Sequence, residues 1–220
     1  ITGKIFQSQL FNAQYINCLN FVIEGGSIES DGKGTLLTTS ECLLSPNRNG
    51  AWNKDQIEQY LKENLGISRI LWLDHGFLEG DDTDSHIDTL ARFCPNDTIT
   101  YIQCNDPKDH HYKALKDMES QLQSFRTQDN RPFRLLPLPM ANEIVFDNER
   151  LPATYANFLI INGAVLYPTY NQPINDSRTA EILTTAFPER QIIGIDCRAL
   201  IKQHGSLHCV TMQYPKNVIK

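Results

Sequence analysis

Residues 158–167 read Phe-Leu-Ile-Ile-Asn-Gly-Ala-Val-Leu-Tyr. Two short apolar runs, Phe158–Ile161 and Ala164–Tyr167, flank Asn162-Gly163. An Asn-Gly dipeptide between two such runs is a strong signal for a hairpin turn, because both residues tolerate the backbone angles that a tight turn needs. The stretch therefore predicts two antiparallel strands joined by a two-residue loop.

The pattern continues with a helix and a further strand. Asp176 is a candidate N-cap for a helix that runs to Ala186, and Gln191–Ile195 indicates the next strand. The order of hairpin, helix and strand occurs about three times along the chain, which predicts an α/β fold other than a simple βαβ series. The other expected elements are strands at Phe21–Ile23, Thr35–Thr38, Ile70–Leu73, Thr98–Cys104, Phe133–Leu138 and His208–Met212, a helix between caps at Asn53 and Gly66, a helix over Leu115–Phe125, and a short helix near Ala199–Ile201.

The composition is that of a folded globular protein. The 220 residues are 40% apolar and 21% charged, with a net charge of −6. That charge argues against a nucleic-acid partner and permits a cationic small substrate. No apolar run reaches the roughly 18–20 residues that a membrane span needs. The six cysteines lack C-x-x-C spacing, so reduced thiols in the cytoplasm are expected.

Two short clusters suggest proton chemistry. Glu24-Gly25-Gly26-Ser27 places a carboxylate beside a backbone that a ligand can approach closely, although a turn with an exposed Glu explains it equally well. In Asp81–Asp88, an extended backbone would point His86 and Asp88 to the same face, where an imidazole and a carboxylate suit proton transfer. The acidic run is also compatible with a solvated loop or a divalent-cation site.

The third cluster contains a candidate nucleophile. Cys209 follows a loop containing Gly205 and enters an apolar run that predicts a strand. A thiolate beside a cation is reactive, whereas a buried cysteine behaves as a small apolar residue, and the local pattern leaves both interpretations open. In a strand, His208 would point to the opposite face from Cys209, so it is not expected in the same pocket.

Other chemistries have little local support. The six cysteines contain no pair at zinc-ligand spacing, so no metal is expected. The phosphate-binding and serine-hydrolase glycine motifs are absent from the sequence. The sequence thus predicts no organic cofactor.

Taken in order, the three clusters resemble the agmatine deiminase family, which also includes bacterial-type peptidylarginine deiminases. The likeness runs from about residue 20 to Pro215. Further matches are Gly34–Thr39, Pro46-Asn47-Arg48-Asn49, Leu90-Ala91-Arg92-Phe93, Tyr167-Pro168-Thr169-Tyr170, Phe187-Pro188-Glu189-Arg190 and Ile195-Asp196-Cys197-Arg198.

The resemblance implies a fold and a domain. It implies a pentein-type α/β propeller of five ββαβ units around a central channel, of which about three units are present here. Residues 1–220 would then be the C-terminal portion of a single agmatine deiminase-like domain, incomplete at its N-terminus. The chain begins without Met and lacks the family's Trp-x-Arg-Asp-x-Gly-Pro segment, whose Asp helps to hold the substrate.

The resemblance also implies roles for four residues. Cys209 would be the nucleophile and His86 the general acid and base. Asp88 would pair with the substrate guanidinium, and Glu24 would bind substrate or orient His86. The implied enzyme is a C–N hydrolase that acts on linear amidines such as agmatine, needs no metal or cofactor, and forms a homodimer as is usual for the family.

Two departures and three alternatives bear on the substrate. Ser85 stands where many family members have Gly, and Ser206 stands where many agmatine deiminases have Asn. The same chemistry would serve a peptidylarginine deiminase, and the motifs do not separate hydrolysis from transfer of the amidino group. A non-catalytic guanidinium-binding remnant is the alternative from a different functional class.

Overall fold

The part of the chain that the structure describes contains three small three-stranded sheets of identical topology, each with a long helix in its crossover. The computed structural model describes residues 2–14, 16–215 and 217–220. The strands are β1 (Ile28–Ser30), β2 (Thr35–Thr39), β3 (Arg69–Leu73), β4 (Ala91–Cys94), β5 (Thr98–Gln103), β6 (Arg134–Pro139), β7 (Val145–Phe146), β8 (Glu149–Arg150), β9 (Leu159–Ile161), β10 (Ala164–Thr169) and β11 (Gln191–Asp196). The helices are α1 (Thr2–Gln7), α2 (Ser40–Leu43), α3 (Pro46–Asn49), α4 (Lys54–Leu65), α5 (Tyr112–Ser124) and α6 (Pro173–Ala186), with 3₁₀ turns at Gly25–Ser27, Ile87–Thr89, Leu200–Gln203 and His208–Val210.

Each sheet is one ββαβ unit. The sheet orders are β1-β2-β3, β4-β5-β6 and β9-β10-β11, with the middle strand antiparallel to its first neighbour and parallel to its second. Helices α4, α5 and α6 lie between the two parallel strands of their units, as a parallel pair requires a long crossover. The predicted count of three units is confirmed, and the short hairpin β7–β8 lies between the second and third.

The hairpin predicted around Asn162-Gly163 is confirmed by register. Ala164 lies opposite Ile161, so the loop holds two residues, and Gly163 adopts a φ of 80°. A positive φ is costly for residues with a Cβ, which accounts for glycine at this position.

The predicted caps of α4 are also confirmed. The Asn53 side chain accepts a hydrogen bond from the Gln56 amide, and the Gln56 side chain accepts one from the Asn53 amide. Gly66 ends the helix in the left-handed conformation, with a φ of 65°. Both ends therefore satisfy backbone groups that a helix terminus leaves unpaired.

Two apolar clusters hold the units together. The larger one joins the second and third units and includes the inner faces of α5 and α6, through residues such as Leu115, Met118 and Leu183. The smaller one packs α4 against β2 and β3, through residues such as Ile57 and Trp72. Burial of these faces fixes the sheet edges from which the loops of the site emerge.

Three predicted elements differ from the structure, and one of them, the strand at His208–Met212, is a 3₁₀ turn in the site described below. Phe21–Ile23 is not a strand, because Asn49 takes the place of a partner strand: its side chain accepts from the Val22 amide at 2.9 Å and donates to the Val22 carbonyl at 2.8 Å. Helix α6 begins at Pro173, ahead of the expected cap. Asp176 lies in its first turn and accepts hydrogen bonds from the Gln172 amide and the Tyr155 hydroxyl.

Within the described ranges, no helix is both long and apolar enough to cross a membrane.

Candidate active site

A cavity of about 540 Å³ lies where loops from all three units meet. It brings together all four residues that the sequence singled out, namely Glu24, His86, Asp88 and Cys209. The remainder of its lining comes mainly from residues 81–83, 152–157 and 203–213.

The backbone around Cys209 is a 3₁₀ turn, where a strand was predicted. The turn spans His208–Val210, and its first amides donate to the side chain of Asn157, from His208 at 2.8 Å and from Cys209 at 3.4 Å. This buried side chain satisfies the amides that a strand partner would otherwise take. Because a 3₁₀ turn does not alternate its side chains, His208 also lines the cavity, and the expectation that it points away was wrong.

Asp88 is the most buried charged group of the site, at 1% exposure. Its Oδ2 accepts hydrogen bonds from His208 Nδ1 at 2.7 Å and from Asn157 Nδ2 at 3.1 Å, and the Cys209 thiol lies 3.9 Å away. Its Oδ1 is buried without a hydrogen-bond partner. A buried carboxylate oxygen left unpaired is costly, so a cationic ligand that donates to Oδ1 would be strongly favoured.

His86 lies beside Asp88, but the backbone here is a 3₁₀ turn, where an extended segment was predicted. His86 caps the 3₁₀ turn Ile87–Thr89 and is 8% exposed. Its Nε2 is buried and unpaired, with Glu24 Oε1 at 4.0 Å. A shift of about 1 Å would bring this pair within normal hydrogen-bond distance.

The backbone before His86 is left-handed at two successive residues. Asp84 and Ser85 have φ angles of 57° and 60°. This conformation favours glycine, which explains in physical terms why glycine suits the position of Ser85. Here the Ser85 hydroxyl donates to Glu41 at 2.9 Å, and its carbonyl accepts from Thr39 at 2.8 Å. These bonds hold the serine in the strained conformation.

The Glu24–Ser27 turn approaches His86 closely. Ser27 donates to the Glu24 carbonyl at 2.7 Å, and Thr38 of β2 donates to the Ser27 carbonyl at 2.7 Å. A Cβ at Gly26 would lie 2.6 Å from His86 Nδ1 and 2.9 Å from Asp88 Oδ2. Only glycine therefore fits at Gly26 without displacing the two side chains.

Arg48 holds Glu24 in place. Its Nε donates to both oxygens of Glu24, at 2.8 and 3.0 Å, and its Nη1 donates to Asp84 at 2.6 Å. Its Nη2 donates to the Thr83 carbonyl at 2.9 Å. The Arg48 side chain is only 10% exposed, whereas the carboxylates of Glu24 and Asp84 are 38% and 43% exposed, so water reaches these charge-assisted bonds from the carboxylate side. Arg48 thus joins the Glu24 turn to the loop that precedes His86.

The electrostatics around Cys209 keep its thiol protonated. Burial of the sulfur among protein atoms, followed by the Asp88 carboxylate, raises the pKa of Cys209 above its usual range, although the residue as a whole is exposed. A hydrogen bond from the Asn157 side chain opposes this rise in pKa. A cation bound between Asp88 and the sulfur would favour the thiolate.

The acidic run is an internal network. Asp81 accepts hydrogen bonds from the Ser85 amide at 2.8 Å and from the Thr83 hydroxyl at 2.6 Å, and Asp84 pairs with Arg48. These carboxylates therefore have partners within the loop, which favours a structural role over the alternative of a divalent-cation site.

One group of metal-ligand types lies in the site. Ligand atoms of Glu24, Cys42 and His86 lie within 4.8 Å of one another. Burial raises the pKa of Cys42 to about 12, and Arg48 already occupies both oxygens of Glu24. A neutral thiol and an ion-paired carboxylate are poor metal ligands, which argues against a metal ion here.

Ser206, the second departure, lines the cavity, and a hydrogen bond from its backbone opposes the rise in the pKa of Cys209, but its hydroxyl points elsewhere. It is buried at 2% exposure, and its hydroxyl lies 2.9 Å from the hydroxyl of Tyr170. Tyr170 in turn exchanges hydrogen bonds with the backbone of Thr154. Ser206 therefore supports the Cys209 loop from behind.

Three site residues were missed from the sequence, namely Arg48, Asn157 and His208. Arg48 lies in Pro46–Asn49, one of the stretches that match the family. The sequence therefore marked it as a family residue but did not indicate its role. Nothing local distinguishes Asn157 from an ordinary residue before the strand β9. His208 was discounted because a strand was assumed.

Comparisons with known proteins agree with this geometry. The chain matches, over residues 1–215, the family model described as Porphyromonas-type peptidyl-arginine deiminase. It is 33% identical over 213 residues to the agmatine deiminase of Pseudomonas fluorescens, which covers 89% of this chain and 57% of that protein. The chain spans 57–59% of the length of the curated relatives that it matches.

Solved structures give the same result. A Porphyromonas gingivalis protein provisionally named an arginine deiminase is 53% identical, with a TM-score of 0.94 over 99% of this chain and 65% of that chain. An agmatine deiminase from C. jejuni with substrate bound is 43% identical, with a TM-score of 0.85 over 94% of this chain and 60% of that chain. The three units thus have the pentein-type α/β fold.

Proposed function

This chain belongs to the Porphyromonas-type peptidyl-arginine deiminase family, and from that premise we propose that the complete protein hydrolyses agmatine to N-carbamoylputrescine and ammonia. The proposal concerns the complete protein because this chain spans 57–59% of its curated relatives. Agmatine deiminases are among the relatives and among the similar solved structures. Cys209 is the proposed nucleophile, with His86, Asp88 and Glu24 as its partners.

One observation carries the proposal. Asp88 Oδ1 and His86 Nε2 are both buried and have no hydrogen-bond partner among the residues that the structure describes, and their side chains line the cavity that also contains the Cys209 sulfur. Native proteins rarely leave buried polar atoms without partners unless a ligand supplies them. A guanidinium is a planar cation with N–H groups along its edges, and it supplies the charge and the donors that Asp88 lacks.

Binding of the substrate would activate Cys209, the nucleophile that attacks it. Asp88 accepts N–H bonds from the guanidinium and holds it against Cys209, whose sulfur lies 3.9 Å from Asp88 Oδ2. The bound positive charge lowers the pKa of the Cys209 thiol, which burial and Asp88 raise in the free protein. The thiolate therefore forms where and when the electrophilic carbon is present.

The reaction then proceeds in two balanced halves. The thiolate adds to the guanidinium carbon, protonated His86 gives its proton to one nitrogen, and ammonia leaves. This leaves a thiouronium joined to Cys209. Neutral His86 next takes a proton from water, and the hydroxide attacks the same carbon. The C–S bond then breaks as the hydroxyl proton of the adduct passes to the sulfur, which releases the ureido product and restores the thiol, whose own proton went to solvent when the guanidinium bound. Glu24 faces His86 and would stabilise its charged form.

A second candidate is hydrolysis of arginine side chains in proteins. The family model carries the name of peptidyl-arginine deiminases, and the same side chains would perform the same steps. The two candidates differ only in the group attached to the guanidinium.

The test measures ureido product from the complete protein with agmatine, free arginine and a peptide with an internal arginine. Turnover of agmatine in preference to the others supports the proposal. Turnover of the peptide alone would replace it with the second candidate. A complete protein that hydrolyses none of the three would contradict both.

Location and assembly are further parts of the proposal. The six cysteines are free thiols, which supports a reducing compartment such as the cytoplasm. The family resemblance supports a homodimer. Fractionation of cells and light scattering of the complete protein test these two points separately.

A further inference from the structure

Asn157 lies between the two halves of the candidate active site. It is fully buried, at 0% exposure. Its Nδ2 donates to Asp88 Oδ2 at 3.1 Å and to the Cys209 sulfur at 3.3 Å. Its Oδ1 accepts from the amides of His208 and Cys209. A single side chain therefore contacts the carboxylate, the sulfur and the backbone that carries the sulfur.

The orientation of this amide is determined by its partners. A backbone N–H can only donate, so the oxygen of Asn157 must face the His208 and Cys209 amides. The NH₂ group is then left to face Asp88 and the sulfur. If the amide were flipped, its NH₂ group would face the N–H groups of His208 and Cys209, and its oxygen would face Asp88 Oδ2.

We propose that Asn157 is a positioning residue for the nucleophile, which holds the Cys209 sulfur beside Asp88 and stabilises the thiolate by a hydrogen bond from Nδ2. The inference rests on the proposed role of Cys209 in hydrolysis. It adds to that function a residue that holds the nucleophile and the substrate-binding carboxylate at a fixed separation.

The side-chain chemistry required at this position is narrow. The loop amides need an acceptor, whereas Asp88 and the sulfur need a donor, and an asparagine amide offers both at this length. An aspartate would keep the acceptor but would place a second carboxylate against Asp88 and lose the donor. An alanine would lose both and would leave a void in a fully buried position.

The test follows the pH dependence of Cys209 modification by iodoacetamide in the complete protein. Digestion and mass spectrometry isolate the peptide that contains Cys209, so the other cysteines do not interfere. Asn157→Ala removes one hydrogen bond to the Cys209 thiolate. The midpoint of the pH dependence of modification should therefore shift upward by about one pH unit. Modification at neutral pH should then be roughly tenfold slower. Asn157→Asp should shift the midpoint further, because it adds a negative charge.

Asn49→Ala is the matched control. Asn49 is also a buried amide, at 5% exposure, but its side chain bonds to Val22 and makes no contact with Cys209. We expect this variant to lower the melting temperature without moving the Cys209 midpoint.

The outcomes separate positioning from mere structural support. Should both Asn157 variants melt earlier yet keep the wild-type midpoint, Asn157 would be structural only and the proposal would be overturned. If Asn157→Ala does not fold, Asn157→Leu carries the test, because it has a similar shape, lacks the amide and adds no charge. The assay contains no guanidine substrate, so a shifted midpoint in a protein that hydrolyses no guanidine would retain the positioning role and reject the proposed function.

Discussion

The close approach of Gly26 to the reacting side chains yields a sharp prediction. A Cβ at this position would lie 2.6 Å from His86 Nδ1, about 0.8 Å short of the 3.4 Å at which ordinary contact begins. The imidazole would therefore have to move by about 0.8 Å and the Asp88 carboxylate, whose Oδ2 would lie 2.9 Å from the Cβ, by about 0.5 Å. Misplacement of that size costs roughly 10²-fold in rate, so kcat/KM for the guanidine substrate should fall about 100-fold in Gly26→Ala, or about 2.7 kcal/mol of barrier.

In Gly26→Ala the melting temperature should change little even though kcat/KM falls. The φ of Gly26 is not positive, so alanine fits the backbone, and loss of glycine flexibility in the unfolded chain stabilises by about 0.4–1 kcal/mol. That gain offsets part of the strain at His86, and the melting temperature should change little. The assays are ureido formation and thermal unfolding, both on the complete protein.

Gly25→Ala is the matched control for Gly26→Ala. A Cβ at Gly25 has nothing within 4 Å, although it belongs to the same 3₁₀ turn. We expect its kcat/KM to stay within about threefold of wild type. Equal activity of the two variants would refute the reasoning, because the distance to His86 would then have no bearing on catalysis.

Three more expectations concern charge. In Arg48→Lys the paired bonds to Glu24 are lost, so kcat/KM should fall about 10- to 100-fold, and unchanged steady-state kinetics would show that the ion pair is dispensable. Asp88→Asn should raise the dissociation constant of agmatine at least tenfold, measured by calorimetry in a Cys209→Ala background, and equal binding would remove Asp88 from the guanidinium contact. Burial raises the pKa of Cys42 and of Cys94 to about 12. The folded thiols therefore keep protons that the unfolded chain loses above about pH 9. The free energy of unfolding, measured in urea, should fall as pH rises from 9 to 12. Cys94→Ala should weaken that pH dependence.

Periodicity and turn chemistry were sufficient to predict the repeated units. The Asn162-Gly163 hairpin and the caps at Asn53 and Gly66 are local features, so each could be identified without knowledge of distant contacts. Three predicted units correspond to three observed sheets. The prediction that these units close around one cavity came from the family resemblance, because no local pattern in the sequence indicates it.

Distant side chains explain where the local predictions failed. Phe21–Ile23 has the composition of a strand, but the Asn49 side chain takes up the Val22 amide and carbonyl from 27 residues away. The apolar run after Cys209 was taken as a strand in the same way, whereas Asn157 satisfies its amides from 51 residues away. A buried amide that replaces a strand partner leaves no periodic trace in sequence.

The four predicted site residues differ in how far sequence could define them. The resemblance, which rests on the order of the motifs, implied that Glu24, His86, Asp88 and Cys209 share one site. The structure places all four in one cavity. Their mutual orientation depends on contacts between units, such as the ion pair of Arg48 with Asp84 and the hydrogen bond of Asn157 to Asp88. Those contacts join residues from separate units and can only be read from the structure.

The most direct test of the account is ureido formation by Cys209→Ala in the complete protein, with Cys94→Ala as the control for loss of a thiol outside the site. We expect Cys209→Ala to lose turnover by at least about 10³-fold, because the covalent path is removed, while Cys94→Ala retains the wild-type rate. Appreciable ureido formation by folded Cys209→Ala would contradict covalent catalysis by this cysteine.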